Sequence, residues 1–236
     1  MSDSPVSDSP AIRLSGAGVR LGEVDALHDV TLALDSRTIA VVGENGSGKS
    51  TFARLVAGLV TATAGETRIL GLDPVRQAAD LRRRVAVVFS NPDAQIVMPT
   101  VAEDVAFSLR SERLGREETA RRVEDALKRF GLSALRDRSS HELSGGQKQL
   151  LALAGAFVRR PELVVADEPT TLLDARNSRL VASHLLEDAG HRLVLVTHDL
   201  ALAARCETAV LFSGGRVEAV GRPQDVIAEY EAALAC

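Results

Sequence analysis

A glycine-rich loop between a short apolar strand and a helical stretch offers the chemistry of phosphate binding. Glycines let successive backbone N–H groups turn inward around phosphate oxygens, and a helix N-terminus adds partial positive charge. In such a loop Lys49 would reach the β- and γ-phosphates, and Ser50 would offer its hydroxyl to Mg²⁺. A chance glycine-rich turn is the alternative, which the flanking strand and helix disfavour. The candidate phosphate-binding residues are Gly43, Glu44, Asn45, Gly46, Ser47, Gly48, Lys49, Ser50 and Thr51.

Two carboxylates end a second apolar strand. The run Leu163–Ala166 is followed by Asp167 and Glu168. We predict that Asp167 lies near the metal, directly or through water. Glu168 would lie beside the γ-phosphate and polarise the attacking water as general base. Taken alone, an acidic pair that merely ends a strand is the commoner explanation. The phosphate loop earlier in the chain and the following Pro169-Thr170 favour the catalytic interpretation.

Two further segments carry weaker signals. A serine and two glycines at a predicted helix start form a second anion site, although alone they describe an ordinary capped helix. A histidine after the apolar run 193–196 suits a group that senses or stabilises the γ-phosphate, and a structural role is an equal alternative. These candidates are Ser144, Gly145, Gly146, Gln147 and His198. The other histidines have no such companions, and we interpret them as surface or packing residues: His28, His141, His184 and His191.

Apolar strands alternating with helices position these segments. That alternation predicts a parallel α/β core. The apolar pattern over Ile12–Leu34 predicts short antiparallel strands. The helical block from about Val101 to Ser139 is long enough to form a separate lobe. The predicted core strands are 38–42, 85–89, 163–166 and 193–196, and a hairpin turns at 213–215. The predicted helices are 50–59, 101–109, 117–130, 145–159, 176–188 and 223–234.

Composition excludes several classes of protein. The chain has 236 residues, a net charge of −4 and 3% aromatic residues, which disfavours a nucleic-acid-binding surface. The two cysteines give no metal spacing and suit a reducing compartment. The longest apolar run, Leu150–Val158, is far below the ~18 residues of a membrane span. We therefore expect a cytoplasmic protein whose membrane role, if any, comes through a partner.

The three motifs in this order resemble the ABC ATPase family over about Ile12 to Tyr230. The resemblance makes Gly43–Thr51 the Walker A loop, Leu163–Glu168 the Walker B strand with the catalytic glutamate, and Leu143–Gln149 the signature. It also implies a D-loop at Leu172–Asp174, in which Asp174 contacts nucleotide, and makes His198 the switch histidine. The implied fold is an α/β P-loop NTPase core with a mostly parallel sheet. The resemblance also implies an N-terminal antiparallel β subdomain and an inserted α-helical subdomain at about 91–160. Together with the core they form one domain at 11–236, which follows a disordered tail at 1–10.

The resemblance also implies a mechanism. Two subunits pair head to tail with two ATP molecules and Mg²⁺ between them, so each ATP contacts the P-loop of one subunit and the signature of the other. ATP then favours the closed dimer through its differential affinity, and hydrolysis reopens it. Catalysis is assigned to Glu168, His198 and Lys49. The second ATPase is either another copy of this chain or a sister subunit.

Two positions depart from the family pattern. Ser90 follows the strand 85–89 where the family has a glutamine that touches Mg²⁺ and links to the transmembrane partner; its shorter hydroxyl puts metal contact or coupling in doubt. Val19–Leu21 occupies the adenine-stacking position without an aromatic ring, so we expect adenine to rest on an aliphatic surface.

One segment narrows the resemblance to energy-coupling-factor importers. Asn91–Val97 is similar to the short helix with which their ATPases contact a transmembrane scaffold protein, and Met98–Val101 and Thr170–Asn177 resemble the biotin-type members. This implies a motor subunit peripheral to the inner face of the cell membrane, working with the scaffold and a substrate-binding membrane component. The alternatives are a cobalt, nickel or other ABC importer ATPase, a soluble ABC ATPase of DNA repair or translation, and a regulatory module without turnover.

Overall fold

The computed structural model describes residues 10–187 and 190–234 of the chain. The predicted tail, apart from Pro10, lies outside these residues. The chain forms two compact units. Of the described residues, the first unit contains those before Arg84 and those from Val194 onward, and the second unit contains those from Arg84 to Leu193.

Strands and helices alternate through most of the described residues. The strands are β1 (Ile12–Leu21), β2 (Val24–Leu34), β3 (Thr38–Gly43), β4 (Ala64–Ile69), β5 (Val85–Phe89), β6 (Leu163–Asp167), β7 (Arg192–Val196), β8 (Thr208–Ser213) and β9 (Arg216–Gly221). The helices are α1 (Lys49–Val56), α2 (Ala78–Arg84), α3 (Val101–Ser108), α4 (Arg116–Arg129), α5 (Gly145–Phe157), α6 (Ala175–Leu186), α7 (Leu200–Ala203) and α8 (Pro223–Leu234).

The first unit contains an antiparallel sheet and part of a mostly parallel one. The antiparallel sheet has the order β2–β1–β4, and Ile12 of β1 pairs with Leu34 of β2 and Ile69 of β4. In the other sheet the order is β7–β3–β8–β9, with β3 and β8 parallel and β9 antiparallel to β8. All six residues of β3 are buried, as expected for a strand covered on both faces.

The second unit contains the neighbouring strands β5 and β6 and the first two residues of β7. Strands β5 and β6 are parallel, and their register aligns Phe89 with Asp167. Between them the chain is helical, from a 3-10 turn at Pro92–Ala94 to α5. Leu127, Phe130 and Leu151 are among its fully buried side chains. The predicted α/β P-loop NTPase architecture with parallel and antiparallel sheets is confirmed.

The structure corrects several predicted elements. The short strands expected over Ile12–Leu34 are two long strands of 10 and 11 residues, because register shifts break the alternation of buried and exposed positions. Strand β4 and helices α2 and α7 were not predicted. Half of β4 is exposed, α2 buries only Leu81, and α7 has only 4 residues, so none has a readable apolar period. Helix α1 ends at Val56, three residues early, because Gly58 adopts φ +69°.

Candidate functional site

The loop between β3 and α1 has backbone conformations and close contacts that require glycine. Gly43 and Gly48 adopt φ values of +139° and +104°, which side-chain-bearing residues rarely do. A Cβ on Gly43 would collide with the Phe212 carbonyl, and one on Gly48 would lie 2.9 Å from the Ala26 oxygen. The backbone therefore packs closely enough on β8 and β2 that both positions must be glycine.

Lys49 is held inside this loop. Its side chain is buried, and its ammonium donates to the carbonyls of Gly43 at 2.8 Å and Glu44 at 2.7 Å. The Ser47 hydroxyl is also buried, and it has no hydrogen-bond partner within the described residues. A buried ammonium beside an unsatisfied hydroxyl at a helix N-terminus fits phosphate oxygens, which accept from both.

Residues outside the motif support the loop, and the sequence did not single them out for that role. The Gly215 N–H donates to the Ser47 carbonyl at 3.0 Å, and the His28 N–H donates to the Gly215 carbonyl at 2.8 Å. The His28 ring packs so closely on Gly215 that a Cβ there would lie 2.7 Å from it. The turn glycines at 214–215 were the available signal, but only tertiary structure shows which loop they touch.

His198 lies at the turn between β7 and α7, in the same unit as the loop. The preceding Thr197 N–H donates to the Val41 carbonyl of β3 at 3.3 Å, and the Thr197 hydroxyl accepts from the Asp199 N–H. Asp199 in turn caps α7. The His198 side chain is exposed at the carboxyl end of the strand. Its role at the γ-phosphate stays a prediction.

The two carboxylates of the second unit end β6. Both are half-buried, and the Thr171 hydroxyl donates to Oε2 of Glu168 at 3.1 Å. Glu168 adopts φ +53°, a left-handed conformation that costs a non-glycine residue on the order of 1–3 kcal/mol. The strained backbone turns the chain directly after Asp167, and the Thr171 hydroxyl holds one oxygen of the Glu168 carboxylate.

Ser90 lies at the same sheet edge as Asp167. It follows Phe89, which the β5–β6 register aligns with Asp167, and its side chain is half-buried. The nearby Gln95 is engaged elsewhere: its Oε1 accepts from the Phe89 N–H at 2.8 Å and its Nε2 donates to the Val87 carbonyl at 2.9 Å. Gln95 therefore braces the edge of β5, and metal contact by Ser90 stays a prediction.

The signature residues begin α5. The Ser144 hydroxyl accepts from the Gln147 N–H at 3.3 Å, and Oε1 of Gln147 accepts from the Ser144 N–H at 2.9 Å, which forms a capping box. Ser144 and Gly145 are exposed, and a Cβ on Gly145 would meet no atom within 4 Å. Gly146 is buried against α6. The first turn of α5 thus presents an open helix N-terminus.

Asp174 caps α6. Its Oδ1 accepts from the N–H groups of Arg176 at 3.0 Å and Asn177 at 2.8 Å. The Asn177 N–H contributes most to lowering the pKa of Asp174 below its ordinary value. The cap is therefore charged at neutral pH and is lost only as the pH falls through that lowered pKa. The preceding Leu172 has φ +73° and is 88% exposed. Nucleotide contact by Asp174 stays a prediction.

Adenine contact by Val19–Leu21 stays a prediction, and the three residues differ in exposure. Val19 is only 2% exposed, and like Leu14 and Ala17 of the same strand it belongs to the buried core. The Arg20 guanidinium pairs with Asp25, and Leu21 is 40% exposed. Of the three, Leu21 alone offers an exposed aliphatic side chain.

The structure therefore brings the predicted residues together in two groups. The first unit holds Gly43–Thr51 and His198 at the carboxyl ends of β3 and β7. The second unit holds Ser90 with Asp167 and Glu168 at one sheet edge, and its helix starts carry Ser144–Gln147 and Asp174. Each group presents polar side chains where strands end or helices begin.

The sequence pattern of the family described as "ABC transporter" matches residues 27–171, more than half of the chain. The chain belongs to this family. The predicted class of enzyme, an ATP-hydrolysing transporter subunit, is confirmed. The biotin transport ATP-binding protein BioM of Rhizobium etli is 39% identical over 93% of this chain and 97% of that protein. The energy-coupling factor transporter ATP-binding protein EcfA1 of Lacticaseibacillus paracasei is 37% identical over 85% of this chain and 74% of that protein.

Solved structures of ABC transporter ATPases are similar to this chain as well. CbiO1 of Clostridium perfringens, part of the ABC transporter complex CbiONQ, superposes with a TM-score of 0.84 at 29% identity, covering 95% of this chain and 93% of that one. A dimeric ATP-binding cassette, MJ0796, bound to ADP and Pi, superposes with a TM-score of 0.80 at 28% identity, covering 90% and 98%. The predicted resemblance to energy-coupling-factor importer ATPases is confirmed. In the part of the chain that the structure describes, no helix is long and apolar enough to cross a membrane.

Proposed function

We propose that this chain is the ATP-hydrolysing motor of an energy-coupling-factor importer that takes up a small vitamin, with biotin as the substrate. The observation that carries the ATPase part is the buried Lys49 ammonium, held on the carbonyls of Gly43 and Glu44 at the start of α1. The observation that favours biotin is the likeness to BioM, which runs over 93% of this chain.

The phosphate loop would bind ATP by exchanging internal contacts for phosphate contacts. The Lys49 ammonium has three donors, so it can turn from loop carbonyls to β- and γ-phosphate oxygens. The buried Ser47 hydroxyl lies in the same loop and can donate. The first N–H groups of α1 and the partial charge of the helix N-terminus complete the anion site.

The residues predicted to hold Mg²⁺ fit that ion. Ser50, Asp167 and Ser90 offer hydroxyl and carboxylate oxygens, the donors that Mg²⁺ prefers. Few protein ligands suffice because Mg²⁺ usually keeps waters and binds substrate phosphates. When bound, Mg²⁺ supplies neutralisation of the charge that develops on the phosphate oxygens.

Hydrolysis would need a base and a γ-phosphate contact. Glu168 would accept a proton from the water that attacks the γ-phosphorus, and Thr171 and the fixed backbone at φ +53° hold its carboxylate in place. His198 would donate a hydrogen bond to the γ-phosphate from the end of β7. The products are ADP and phosphate, and the motion between the ATP and ADP states would drive transport.

The open start of α5 would face the ATP of a second ATPase subunit. Ser144 and Gly145 are exposed, and the first N–H groups of α5 can donate to a γ-phosphate from outside the subunit. Asp174 and Leu172 would contact the partner from the neighbouring D-loop. This arrangement supports a head-to-tail dimer.

The segment Asn91–Val97 would dock on the transmembrane scaffold. Val97 is 60% exposed, and its N–H donates to the buried Asp104 carboxylate at 2.8 Å. Gln95 braces the same segment against β5. A firmly anchored segment with an exposed apolar tip can pack on a helix of a partner. The chain would thus be peripheral on the cytoplasmic face of the membrane.

Co-purification tests the membrane and substrate proposals. The chain, tagged at its N-terminus, is captured from detergent-solubilised membranes of its source, and the captured proteins and small molecules are identified by mass spectrometry. We expect one helical scaffold protein and a small membrane protein that carries biotin. A captured protein that carries cobalt or nickel would replace biotin as the substrate. Capture of ribosomes or DNA without membrane proteins would contradict the importer.

A further inference from the structure

The side-chain amide of Asn177 fills the space beside Gly146. A Cβ on Gly146 would lie 2.5 Å from Cγ and 2.9 Å from Oδ1 of Asn177, closer than real Cβ atoms approach other groups. Gly146 lies within α5, whose helical backbone any residue can adopt. The side chain of Asn177, which belongs to the same unit, therefore leaves no room for a side chain at Gly146.

The same amide also holds Asp174. Nδ2 of Asn177 donates to Oδ2 of Asp174 at 2.9 Å, and the Asn177 N–H donates to Oδ1 at 2.8 Å. Asp174 ends the exposed D-loop and caps α6. One side chain thus contacts both the second residue of α5 and the last residue of the D-loop.

We propose that Asn177 is a positioning residue that keeps the signature residues Ser144–Gln147 and the D-loop Leu172–Asp174 in one register. This rests on the proposed function, in which both segments contact the ATP or the surface of a second subunit. Both segments are exposed on their outer sides, at Gly145 and Leu172. A misplacement of about 1 Å between two groups that must engage together can cost about 100-fold in rate. A rigid link between them ensures that they engage at the same time.

The test is a double-mutant cycle in ATP hydrolysis, using Gly146→Ala, Asn177→Ala and the double variant in the full chain with its membrane partners. Asn177→Ala should lower kcat about tenfold, while the Kd of a fluorescent ATP analogue for the isolated subunit stays unchanged, because the P-loop belongs to the first unit. The single variant Gly146→Ala should lower kcat by more than Asn177→Ala does. The factor by which Gly146→Ala lowers kcat should be smaller by at least about fivefold when residue 177 is already alanine, because the obstructing amide is gone.

Arg179→Ala is the matched control, because Arg179 is exposed on the same helix and its Nε donates to the Ala175 carbonyl of that helix. It should leave kcat unchanged. An equal cost of Gly146→Ala in both backgrounds, including complete loss in both, would overturn the proposal. So would a native kcat for Asn177→Ala. If the unaltered chain neither binds the analogue nor hydrolyses ATP, the proposed function fails and this inference fails with it.

Discussion

Lys49 shows how single residues carry the chemistry of this protein. A buried ammonium is costly unless it is paired, and two loop carbonyls supply partners at 2.8 and 2.7 Å. These are neutral acceptors, so an anionic phosphate is a stronger partner for the same group. The two carbonyls therefore hold the Lys49 ammonium in place, and we expect it to bind the phosphates of ATP more strongly.

Glu168→Gln tests the assignment of the base. The amide keeps the size of the side chain but cannot accept the proton, so kcat for ATP hydrolysis should fall about 100-fold or more, with ATP binding retained. Turnover of radiolabelled ATP and binding of a fluorescent analogue measure the two effects. Glu162→Gln is the control, since Glu162 pairs with Arg84 at the opposite end of β6 from Glu168. Native turnover by Glu168→Gln would refute the assignment.

Gly48→Ala and Gly46→Ala separate backbone strain from steric collision. Both glycines have positive φ, which costs an alanine about 1–2 kcal/mol. A Cβ on Gly46 meets nothing within 4 Å, whereas one on Gly48 lies 2.9 Å from both the Ala26 oxygen and Leu27 Cδ2. We expect Gly48→Ala to lower the free energy of unfolding by clearly more than Gly46→Ala in urea titrations. Equal losses would show that β2 does not confine the loop.

At the scale of elements, capping explains where several helices begin. Thr100 and Glu103 form a capping box at α3, and Ser144 and Gln147 form a second one at α5. Each box satisfies N–H groups that lack partners inside the helix. The boxes fix the start of α3, which follows the segment Asn91–Val97, and the start of α5, which contains the signature residues.

Thr100→Ala should remove the cap of α3 and lower the free energy of unfolding by about 1 kcal/mol. Chemical denaturation of the variant measures this loss. Thr119→Ala is the control, because the Thr119 hydroxyl donates to the Gly115 carbonyl in the first turn of α4, a contact of little net value. A loss for Thr100→Ala no larger than that for Thr119→Ala would count against a stabilising box.

Elements with a strong apolar period were predictable, and elements held by tertiary contacts were not. Strand β5 is predicted at its observed bounds because its five residues are all apolar. Strand β4 reads AGETRI, and its pairing with the distant strand β1 is a contact that no local pattern reports. The motif residues were predictable because their types and order are specific. The close packing of Ala26 on Gly48 and of Asn177 on Gly146 could not be predicted, because each contact joins segments that are distant in sequence.

At the scale of the whole molecule, the site residues are divided between two units. The first unit supplies the phosphate loop and His198, and the second supplies Asp167, Glu168 and the signature. The similarity to BioM spans nearly all of both chains, so it includes both units and is not limited to one motif. We therefore expect ATP binding, hydrolysis and transport to depend on both units.

Uptake of labelled biotin tests the central claim most directly. The chain and its co-purified membrane partners are reconstituted in lipid vesicles with ATP on the side that carries the chain. We predict biotin accumulation that requires MgATP and that falls to background with Glu168→Gln, while the variant still binds ATP. Accumulation that continues with Glu168→Gln, or none with the unaltered chain while ATP is hydrolysed, would contradict this account.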